Sequence, residues 1–240
     1  MKAVIFAAGE GKRLHPLTLE RPKPLVEVLG KPLIHHIWEV LPSVVDEVVV
    51  VVGYRREMIR DFLGDEFLGK RVTYVEQNEP LGTAHALKLC KTHLENEEKF
   101  LLMYADDLHG KEGIARCVEH DMALLVHFVD DPRRFGVVVT NDDGTIKNIE
   151  EKPEHPKSNL AVTGVYTLTP KIFEYDALHT KNGEFYLTDM IEEYIKHNPM
   201  QVIESDFWVS IAYPHDIDNA EKILGGVQDV NLLIQPRAEN

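Results

Sequence analysis

Short apolar runs alternate with segments of helical periodicity over the first 130 residues, and this alternation constrains the fold of the 240-residue chain more than any other feature. The runs are rich in β-branched residues and are bounded by glycine, proline or charge, as in buried strands. They cover 2–8, 47–53, 71–77, 99–106 and 122–129. The helical segments between them cover 32–43, 56–67, 82–94 and 110–121. This alternation predicts a doubly wound α/β fold with a mostly parallel central sheet and helices on both faces.

The pattern changes after residue 130. Two alternating runs within 135–153 are joined by Asp-Asp-Gly-Thr at 142–145, which predicts a β-hairpin. A further strand at 160–168 and a helix at 188–198 follow. Because no repeat or linker interrupts the chain, the sequence predicts one domain with two halves. The domain covers 1–224, its halves are 1–130 and 131–224, and 225–240 form a C-terminal tail without an assignment.

Charge and composition exclude several classes of function. The net charge of −14 argues against a broad basic face that binds nucleic acid. Cys90 and Cys117 lack the spacing of a zinc site or a disulfide framework. No stretch approaches the roughly 20 apolar residues of a membrane span, and the apolar run at 3–8 is too short for a signal peptide. We therefore expect a cytoplasmic protein that binds neither nucleic acid nor a membrane.

The stretch AAGEGKRLHPLTLERPKPL at 7–25 follows the first predicted strand, where loops of open α/β sheets bind ligands. Gly9 and Gly11 allow backbone N–H groups to approach an anion. Four basic side chains add positive charge: Lys12, Arg13, Arg21 and Lys23. A Walker A loop and a dinucleotide loop are both excluded, because Arg13 and Leu14 stand where those motifs need Ser or Thr and a small residue. The loop therefore predicts a local anion site of another kind.

This stretch and several later segments resemble, in their order, the signature of the sugar-1-phosphate nucleotidyltransferases. The segments are G-x-G-x-R-x-x-P-L-T with RPKP within 9–24, EQNEPLGTAHAL at 76–87, YADD at 104–107, EEKP at 150–153 and GEFYLTD at 183–189. The resemblance is strongest to short uridylyl- and thymidylyl-transferring members. It implies a Rossmann-like fold with a sugar-binding β-hairpin region. It also implies an enzyme that converts a nucleoside triphosphate and a sugar 1-phosphate into a nucleotide-diphospho-sugar and pyrophosphate.

The resemblance implies roles for four residues in catalysis. Arg13 would grip the triphosphate and orient the leaving pyrophosphate, Lys23 would contact the α-phosphate, and Lys152 would hold the sugar phosphate. Asp106 would hold Mg²⁺ between phosphate oxygens, and Asp107 either shares the metal or faces solvent. Since both substrates are anions, positioning and charge screening carry the catalysis, without a nucleophilic side chain.

The second metal position departs from the family pattern. Similar members carry Trp-x-Asp-Ile-Gly near the C-terminal end, with the Asp as a metal ligand. Here the segment at 208–220 reads WVSIAYPHDIDNA, so Ser210 stands in the ligand position and Ala212 in the glycine position. Either water fills the gap, Asp216 or Asp218 reaches in, or turnover is impaired. This departure keeps open a function of another class, a catalytically weak regulatory subunit that binds a nucleotide-sugar.

The residues expected to bind the nucleotide are Ala7, Ala8, Gly9, Gly11, Gln77, Gly82 and Thr83. Gln77 can pair with the edge of a pyrimidine, and Gln followed by Gly-Thr resembles the uridylyl-transferring members. The expected nucleotide is therefore UTP. Thymidylyl transfer is a close second, because an apolar pocket discriminates a methyl group by only about 1–3 kcal/mol, and guanylyl transfer is third.

The residues expected to bind the sugar are Gly136, Glu151, Gly164 and Tyr186. The segment at 183–189 is similar to that of members acting on glucose or N-acetylglucosamine phosphates, but no single residue identifies which sugar is bound. The expected partners are thus a nucleoside triphosphate and a sugar 1-phosphate, and a homo-oligomer is compatible with the sequence. His35 and His36 have no third ligand at useful spacing, so surface or packing roles are favoured over metal binding.

Overall fold

The computed structural model describes residues 1–177 and 183–226. Within these ranges the strands are β1 (Lys2–Ala7), β2 (Glu27–Val28), β3 (Lys31–Pro32), β4 (Glu47–Val52), β5 (Glu66–Phe67), β6 (Lys70–Glu76), β7 (Phe100–Tyr104), β8 (Asp107–His109), β9 (Ala123–Phe128), β10 (Gly136–Thr140), β11 (Ile146–Glu151), β12 (Leu160–Leu168), β13 (Gln201–Glu204) and β14 (Trp208–Ser210). The helices are α1 (Leu33–Val40), α2 (Arg56–Leu63), α3 (Thr83–Leu89), α4 (Lys91–Leu94), α5 (Lys111–Cys117), α6 (Leu187–Ile195) and α7 (Pro214–Gly226). Short 3₁₀ turns cover Lys12–Leu14, Lys23–Leu25 and Pro170–Glu174.

The centre of the molecule is a parallel block of four strands in the order β7-β1-β4-β6. Helices cover both faces of this block, and residues 48–52 of β4 are therefore buried without interruption. Two apolar clusters lie on the opposite faces of the sheet. The Rossmann-like α/β fold expected from the sequence is confirmed.

The second half of the chain extends this sheet with antiparallel strands. β12 pairs antiparallel with β7, β9 and β10, and the hairpin predicted around 142–145 forms from β10 and β11. The run at 122–129 is a strand, β9, but it runs parallel only to β13. The parallel arrangement thus holds for the block β7-β1-β4-β6, whereas β9 and β12 extend the sheet with antiparallel pairing. The division into halves near residue 130 stays a prediction.

Several boundaries differ from those expected. The helix expected over 56–67 ends at Leu63, because Gly64 takes a positive φ of 61° at the C-cap and the chain then enters β5. The helix expected over 82–94 is divided at Cys90 into α3 and α4. The pair formed by β8 and β14 was not expected, since each strand has only three residues. α7 extends to Gly226, past the expected domain end, and the rest of the expected tail, 227–240, lies outside the described residues.

The remaining candidate features have packing roles in this fold. Cys90 and Cys117 are buried and unbridged. The His36 ring lies 3.0 Å from the Val28 carbonyl oxygen, and His35 packs edge-on against Phe67. Across the described ranges, none of the helices combines the length and apolar character needed to cross a membrane. The cytoplasmic location and the homo-oligomer stay predictions.

Candidate active site

Two cavities open where the parallel strands end, and they share one wall. We call the cavity behind the loop after β1 the glycine cavity and the cavity beside β10 and β11 the hairpin cavity. The wall common to both consists of Arg13, Lys23, Thr83, Tyr104, Asp106, Tyr186 and Ala212. The location agrees with the rule that α/β sheets bind ligands beyond the carboxyl ends of their strands.

The glycine cavity contains all seven residues expected to bind the nucleotide: Ala7, Ala8, Gly9, Gly11, Gln77, Gly82 and Thr83. A Cβ built at Gly9 would have no atom within 4 Å, so the backbone there faces open space. Gly11 has a φ of 67°, and a Cβ there would lie 2.9 Å from the Cβ of Lys23. Gly9 thus leaves room for a ligand, whereas Gly11 allows the loop to fold against Lys23.

Three of these residues also make contacts within the protein: Gly82, Thr83 and Gln77. Gly82 has a φ of 96°, and a Cβ there would lie 2.4 Å from the carbonyl oxygen of Phe185. The Leu187 backbone N–H donates to Thr83 Oγ1 at 2.8 Å, and Gln77 Nε2 donates to the Gly82 carbonyl oxygen at 3.0 Å. These contacts dock the segment before α6 onto the start of α3. A contact of Gln77 with a base stays a prediction.

The hairpin cavity contains the residues expected to bind the sugar and its phosphate: Gly136, Glu151, Lys152, Gly164 and Tyr186. Lys152 has a positive φ of 43°, and its N–H donates to the Phe135 carbonyl oxygen at 3.1 Å. Its Nζ lies 2.9 Å from Glu151 Oε1 and 4.8 Å from the centre of the Tyr186 ring. A strained lysine backbone held by a distant carbonyl is typical of a functional position.

The two glycines of the hairpin cavity make room for the protein itself. A Cβ at Gly164, where φ is 81°, would lie 2.7 Å from the Tyr104 ring. A Cβ at Gly136 would lie 3.0 Å from Thr188 Cγ2. Close packing therefore explains both glycines, and a contact of either with a sugar stays a prediction.

Lys23 and Asp106 meet in the wall between the cavities. Lys23 Nζ lies 3.0 Å from Asp106 Oδ2, with the lysine side chain 13% exposed and the carboxylate 43% exposed. The other basic residues of the loop divide. Arg13 lines both cavities, but Lys12 pairs with Glu10 and Arg21 with Glu27, and neither of these two residues lines the glycine cavity or the hairpin cavity. Two of the four cations of the loop therefore reach the site.

Asp107 is buried, so the expectation that it faces solvent is wrong, whereas the expectation that it shares a metal with Asp106 stays a prediction. Its side chain accepts from Trp208 Nε1 at 3.1 Å through Oδ2 and from the Ile211 N–H at 2.9 Å through Oδ1. Burial, followed by the charge of Asp106, raises the pKa of this carboxyl. Asp106 reaches both cavities, whereas Asp107 lines only the hairpin cavity and anchors β14 and the following Ile211 through its two hydrogen bonds.

The structure narrows the alternatives for the second metal position. Ser210 lines the hairpin cavity and pairs in register with Asp107. Asp216 Oδ2 accepts from the N–H groups of Ala212 and Tyr213 at the start of α7. Asp216 and Asp218 line neither cavity, so this geometry gives no support to the alternative in which one of them supplies the missing carboxylate, and that alternative stays a prediction.

A divalent metal fits this donor set only together with a substrate. Among the described residues, no group of three or more His, Cys, Asp and Glu side chains could hold a metal ion. Mg²⁺ is usually bound through one or two carboxylates and the phosphates of the substrate. Asp106 supplies one such carboxylate at the wall where the cavities meet.

The sequence analysis missed several residues of the site. Tyr104 lines both cavities and stacks on Phe6 with ring centres 5.5 Å apart, and its position at the end of β7 could have revealed it. Thr188 lines the hairpin cavity and donates to Glu151 Oε2 at 3.0 Å. Arg134 lines the same cavity, but no motif pointed to it.

Comparison with known proteins agrees with this geometry. The model of the nucleotidyl transferase family matches residues 2–224. The chain is 41% identical to the UTP--glucose-1-phosphate uridylyltransferase AglF of Haloferax volcanii over 93% of this chain and 96% of that protein. It is 36% identical to the bifunctional protein GlmU of Methanocaldococcus jannaschii, over 93% of this chain and 54% of GlmU. The chain thus spans about half the length of that relative.

Solved structures share the fold. A structure described as a glucose-1-phosphate thymidylyltransferase from Bacillus anthracis superposes with a TM-score of 0.82 at 28% identity, covering 93% of this chain and 94% of that one. A UDP-glucose pyrophosphorylase complexed with UDP-glucose superposes with the same TM-score of 0.82 at 23% identity, over 94% of this chain and 98% of that one, and supports the fold alone. The chain therefore belongs to the nucleotidyl transferase family, and its resemblance to the sugar-1-phosphate nucleotidyltransferases is confirmed.

Proposed function

We propose that the protein transfers a uridylyl group from UTP to a glucose-type hexose 1-phosphate, forming a UDP-sugar and pyrophosphate. The observation that carries this proposal is the shared wall of Arg13, Lys23 and Asp106 between the two cavities. Two anionic substrates can bind in separate cavities and meet at a wall that carries positive charge. Such screening is the main requirement of phosphoryl-type transfer.

The reaction follows from this placement. An oxygen of the sugar 1-phosphate attacks the α-phosphorus of UTP from the hairpin cavity, and the bond from that phosphorus to the bridging oxygen of the β-phosphate breaks. Lys23 stabilises the charge that develops on the α-phosphate. Arg13 holds the leaving pyrophosphate by a forked contact, and Lys152 holds the attacking phosphate. The protein acts by positioning and electrostatics, without a covalent intermediate.

Asp106 would hold Mg²⁺, which when bound supplies positive charge between phosphate oxygens. The ion pair between Lys23 and Asp106 keeps the lysine at the junction before the substrates arrive. Glu151 orients Lys152 through its Oε1 and receives a hydrogen bond from Thr188 through its Oε2. The hairpin cavity is therefore preorganised by its own side chains.

The choice of UTP and of a glucose-type sugar rests on two supports. Gln77 lies in the glycine cavity, and because its Nε2 is engaged by the Gly82 carbonyl oxygen and His85, its amide oxygen is the atom that would accept from a pyrimidine N–H. AglF, a relative with 41% identity over nearly its whole length, is named a UTP--glucose-1-phosphate uridylyltransferase. Thymidylyl transfer, guanylyl transfer and N-acetylglucosamine 1-phosphate as the acceptor are the alternatives that the experiment must separate.

The test is pyrophosphate release in the presence of Mg²⁺. UTP, dTTP, GTP, CTP and ATP are each paired with the 1-phosphates of glucose, N-acetylglucosamine, galactose and mannose. We expect the fastest release with UTP and glucose 1-phosphate. The Asp106→Asn variant is the negative control, and we expect it to be nearly inactive. Faster release with dTTP or with another sugar would replace the substrate assignment.

One observation favours a second candidate, a regulatory subunit that binds the nucleotide-sugar without turnover. Ser210 stands in the hairpin cavity where similar members carry a carboxylate ligand. This candidate predicts that calorimetry detects UTP or UDP-glucose binding while the whole substrate panel releases no pyrophosphate. Restoration of release by Ser210→Asp would then identify the cause of the lost turnover.

A further inference from the structure

We propose that Arg134 binds the phosphate of the sugar 1-phosphate, together with Lys152. This inference rests on the proposed function, because it assigns a phosphate contact to the hairpin cavity. It adds a substrate-binding cation that no motif of the sequence indicated.

Two neighbouring arginines differ in where they lie. Arg133 makes a two-pronged contact to Asp131, with Nε 2.8 Å from Oδ1 and Nη2 2.7 Å from Oδ2, and it does not line the hairpin cavity. Arg134 lines that cavity, and its Cζ lies 5.6 Å from the centre of the Phe135 ring and 5.8 Å from that of Tyr213. Contacts with aromatic faces hold a guanidinium in place without neutralising its charge.

Phe135 connects Arg134 to the cation already assigned to the sugar phosphate. Its carbonyl oxygen accepts from the Lys152 N–H at 3.1 Å, and its ring meets Trp208 edge-on with centres 5.1 Å apart. Trp208 in turn donates to buried Asp107. Phe135 therefore contacts both Arg134 and Lys152, and through Trp208 it packs against β14, which Asp107 anchors. Both cations border the hairpin cavity.

The lysines and the arginines of the site differ in whether they form ion pairs within the protein. Lys23 is paired with Asp106 and Lys152 with Glu151. Within the described ranges, no ion pair joins Arg13 or Arg134 to a carboxylate. Their Cζ atoms lie 6.0 Å and 5.8 Å from the centre of the same Tyr213 ring. The two exposed guanidinium groups are therefore the ones whose positive charge is available to a substrate.

The two arginines border different cavities. Arg13 lines both, whereas Arg134 lines only the hairpin cavity. A sugar 1-phosphate presents a phosphate with several terminal oxygens, which a guanidinium can bind by two parallel hydrogen bonds. Because Arg134 borders only the hairpin cavity, we assign it to the phosphate of the sugar and not to the triphosphate.

Position 210 bears on the charge that Arg134 offers to a substrate. Arg134 and Ser210 line the hairpin cavity together and also share the shallower groove outside it. A carboxylate at position 210, as in the family pattern, would offer the guanidinium a partner inside the protein. The hydroxyl of Ser210 carries no charge, so position 210 does not neutralise the guanidinium. Asp131 and Asp216 line the outer groove beside Arg134, but among the described residues neither forms an ion pair with it.

The experiment compares Arg134→Gln with Arg133→Gln, and Arg134→Lys tests for rescue. Initial rates of pyrophosphate release are measured with either glucose 1-phosphate or UTP varied, and melting temperatures are recorded for each variant. We expect Arg134→Gln to raise KM for glucose 1-phosphate about tenfold or more, as the loss of a charged hydrogen bond implies. KM for UTP and the melting temperature stay near the wild-type values. Arg134→Lys recovers part of the loss, and Arg133→Gln behaves as wild type.

Two results would overturn the inference. If Arg134→Gln matches Arg133→Gln in an active enzyme, the phosphate contact is absent. If both KM values and the melting temperature shift together, Arg134 acts only in packing. A wild-type protein that releases no pyrophosphate would instead overturn the proposed function and the inference that rests on it.

Discussion

The glycine cavity and the hairpin cavity share a wall but are constructed differently. The glycine cavity is formed largely by the loop after β1 and the start of α3, where glycines let the backbone approach a ligand. The hairpin cavity is formed by charged side chains whose positions depend on partners far away in the sequence. The difference teaches that the glycine cavity could be recognised from contiguous segments, although long-range contacts also close it, whereas the charged groups of the hairpin cavity are positioned by long-range pairing.

The hydrogen bonds of the hairpin cavity illustrate this dependence. The Lys152 N–H donates to the Phe135 carbonyl, Thr188 donates to Glu151, and Trp208 donates to Asp107 across 101 positions. Each bond joins two elements that the fold must first bring together. A perturbation of the hairpin cavity is therefore expected to act through such bonds, whereas one in the glycine cavity acts on the backbone.

The largest effect is expected at Lys23, which belongs to both cavities. Lys23→Ala removes the positive charge beside the reacting phosphate and leaves Asp106 without its partner at 3.0 Å. We expect kcat/KM to fall by about 10²–10³-fold for both substrates, comparable with the loss of a preorganised donor to a transition state. Steady-state kinetics with each substrate varied measures this change.

Lys12→Ala is the matched control for Lys23→Ala. Lys12 lies in the same loop, but its side chain is 73% exposed and pairs with Glu10. We expect kcat/KM of this variant to stay within about twofold of wild type, since exposed ion pairs contribute little. Equal losses in both variants would show that the net charge of the loop matters and that the shared wall does not.

A large loss of stability is expected on the glycine side at Gly82. Gly82→Ala places a methyl group 2.4 Å from the Phe185 carbonyl oxygen at a φ of 96°. Strain in this backbone region and the overlap together should lower the free energy of unfolding by about 3 kcal/mol. Urea unfolding measures the change. Gly9→Ala is the control and should change stability by less than about 0.5 kcal/mol, because its Cβ has no neighbour within 4 Å.

On the hairpin side, Asp107→Asn tests the long-range anchor. The two carboxylate oxygens of Asp107 accept from Trp208 Nε1 and from the Ile211 N–H. In asparagine one of these oxygens is replaced by an NH₂ group, which can only donate. One buried N–H then has no acceptor, so we expect a loss of about 2 kcal/mol in the free energy of unfolding. Urea unfolding monitored by Trp fluorescence measures it. An unchanged stability would mean that β14 does not depend on this anchor.

The same contrast explains what could be predicted from the sequence. The strands of the parallel block follow from apolar periodicity, and the seven glycine-cavity residues lie in short contiguous segments that resemble the motifs of the family. The role of Asp107 could not be predicted, since its partners at 208 and 211 are brought close only by β8 and β14. The position of Arg134 could not be predicted either, since one of the two rings that it contacts belongs to Tyr213, which lies 79 positions later along the chain.

The smallest expected effect concerns the repulsion between carboxylates near the hairpin cavity. Partial burial, followed by the charges of Glu151 and Glu192, raises the pKa of Asp189 on α6 from 3.8 to about 6. Between these values the folded state binds more protons than the unfolded state, so this group makes stability fall as pH rises from about 4 to about 6. Asp189→Asn removes the titrating group. The variant should therefore lose this part of the pH slope and gain about 1 kcal/mol or less at pH 7, after allowance for solvent screening.

Urea unfolding at several values between pH 4.5 and 7, at constant ionic strength, measures that slope. Asp143→Asn is the control, because hydrogen bonds from Thr145 lower the pKa of Asp143, which is therefore ionised throughout this range. The control should leave the slope unchanged. If Asp189→Asn also leaves it unchanged, the carboxylates around Glu151 do not strain the folded state, and the contrast between the two cavities rests on hydrogen bonding alone.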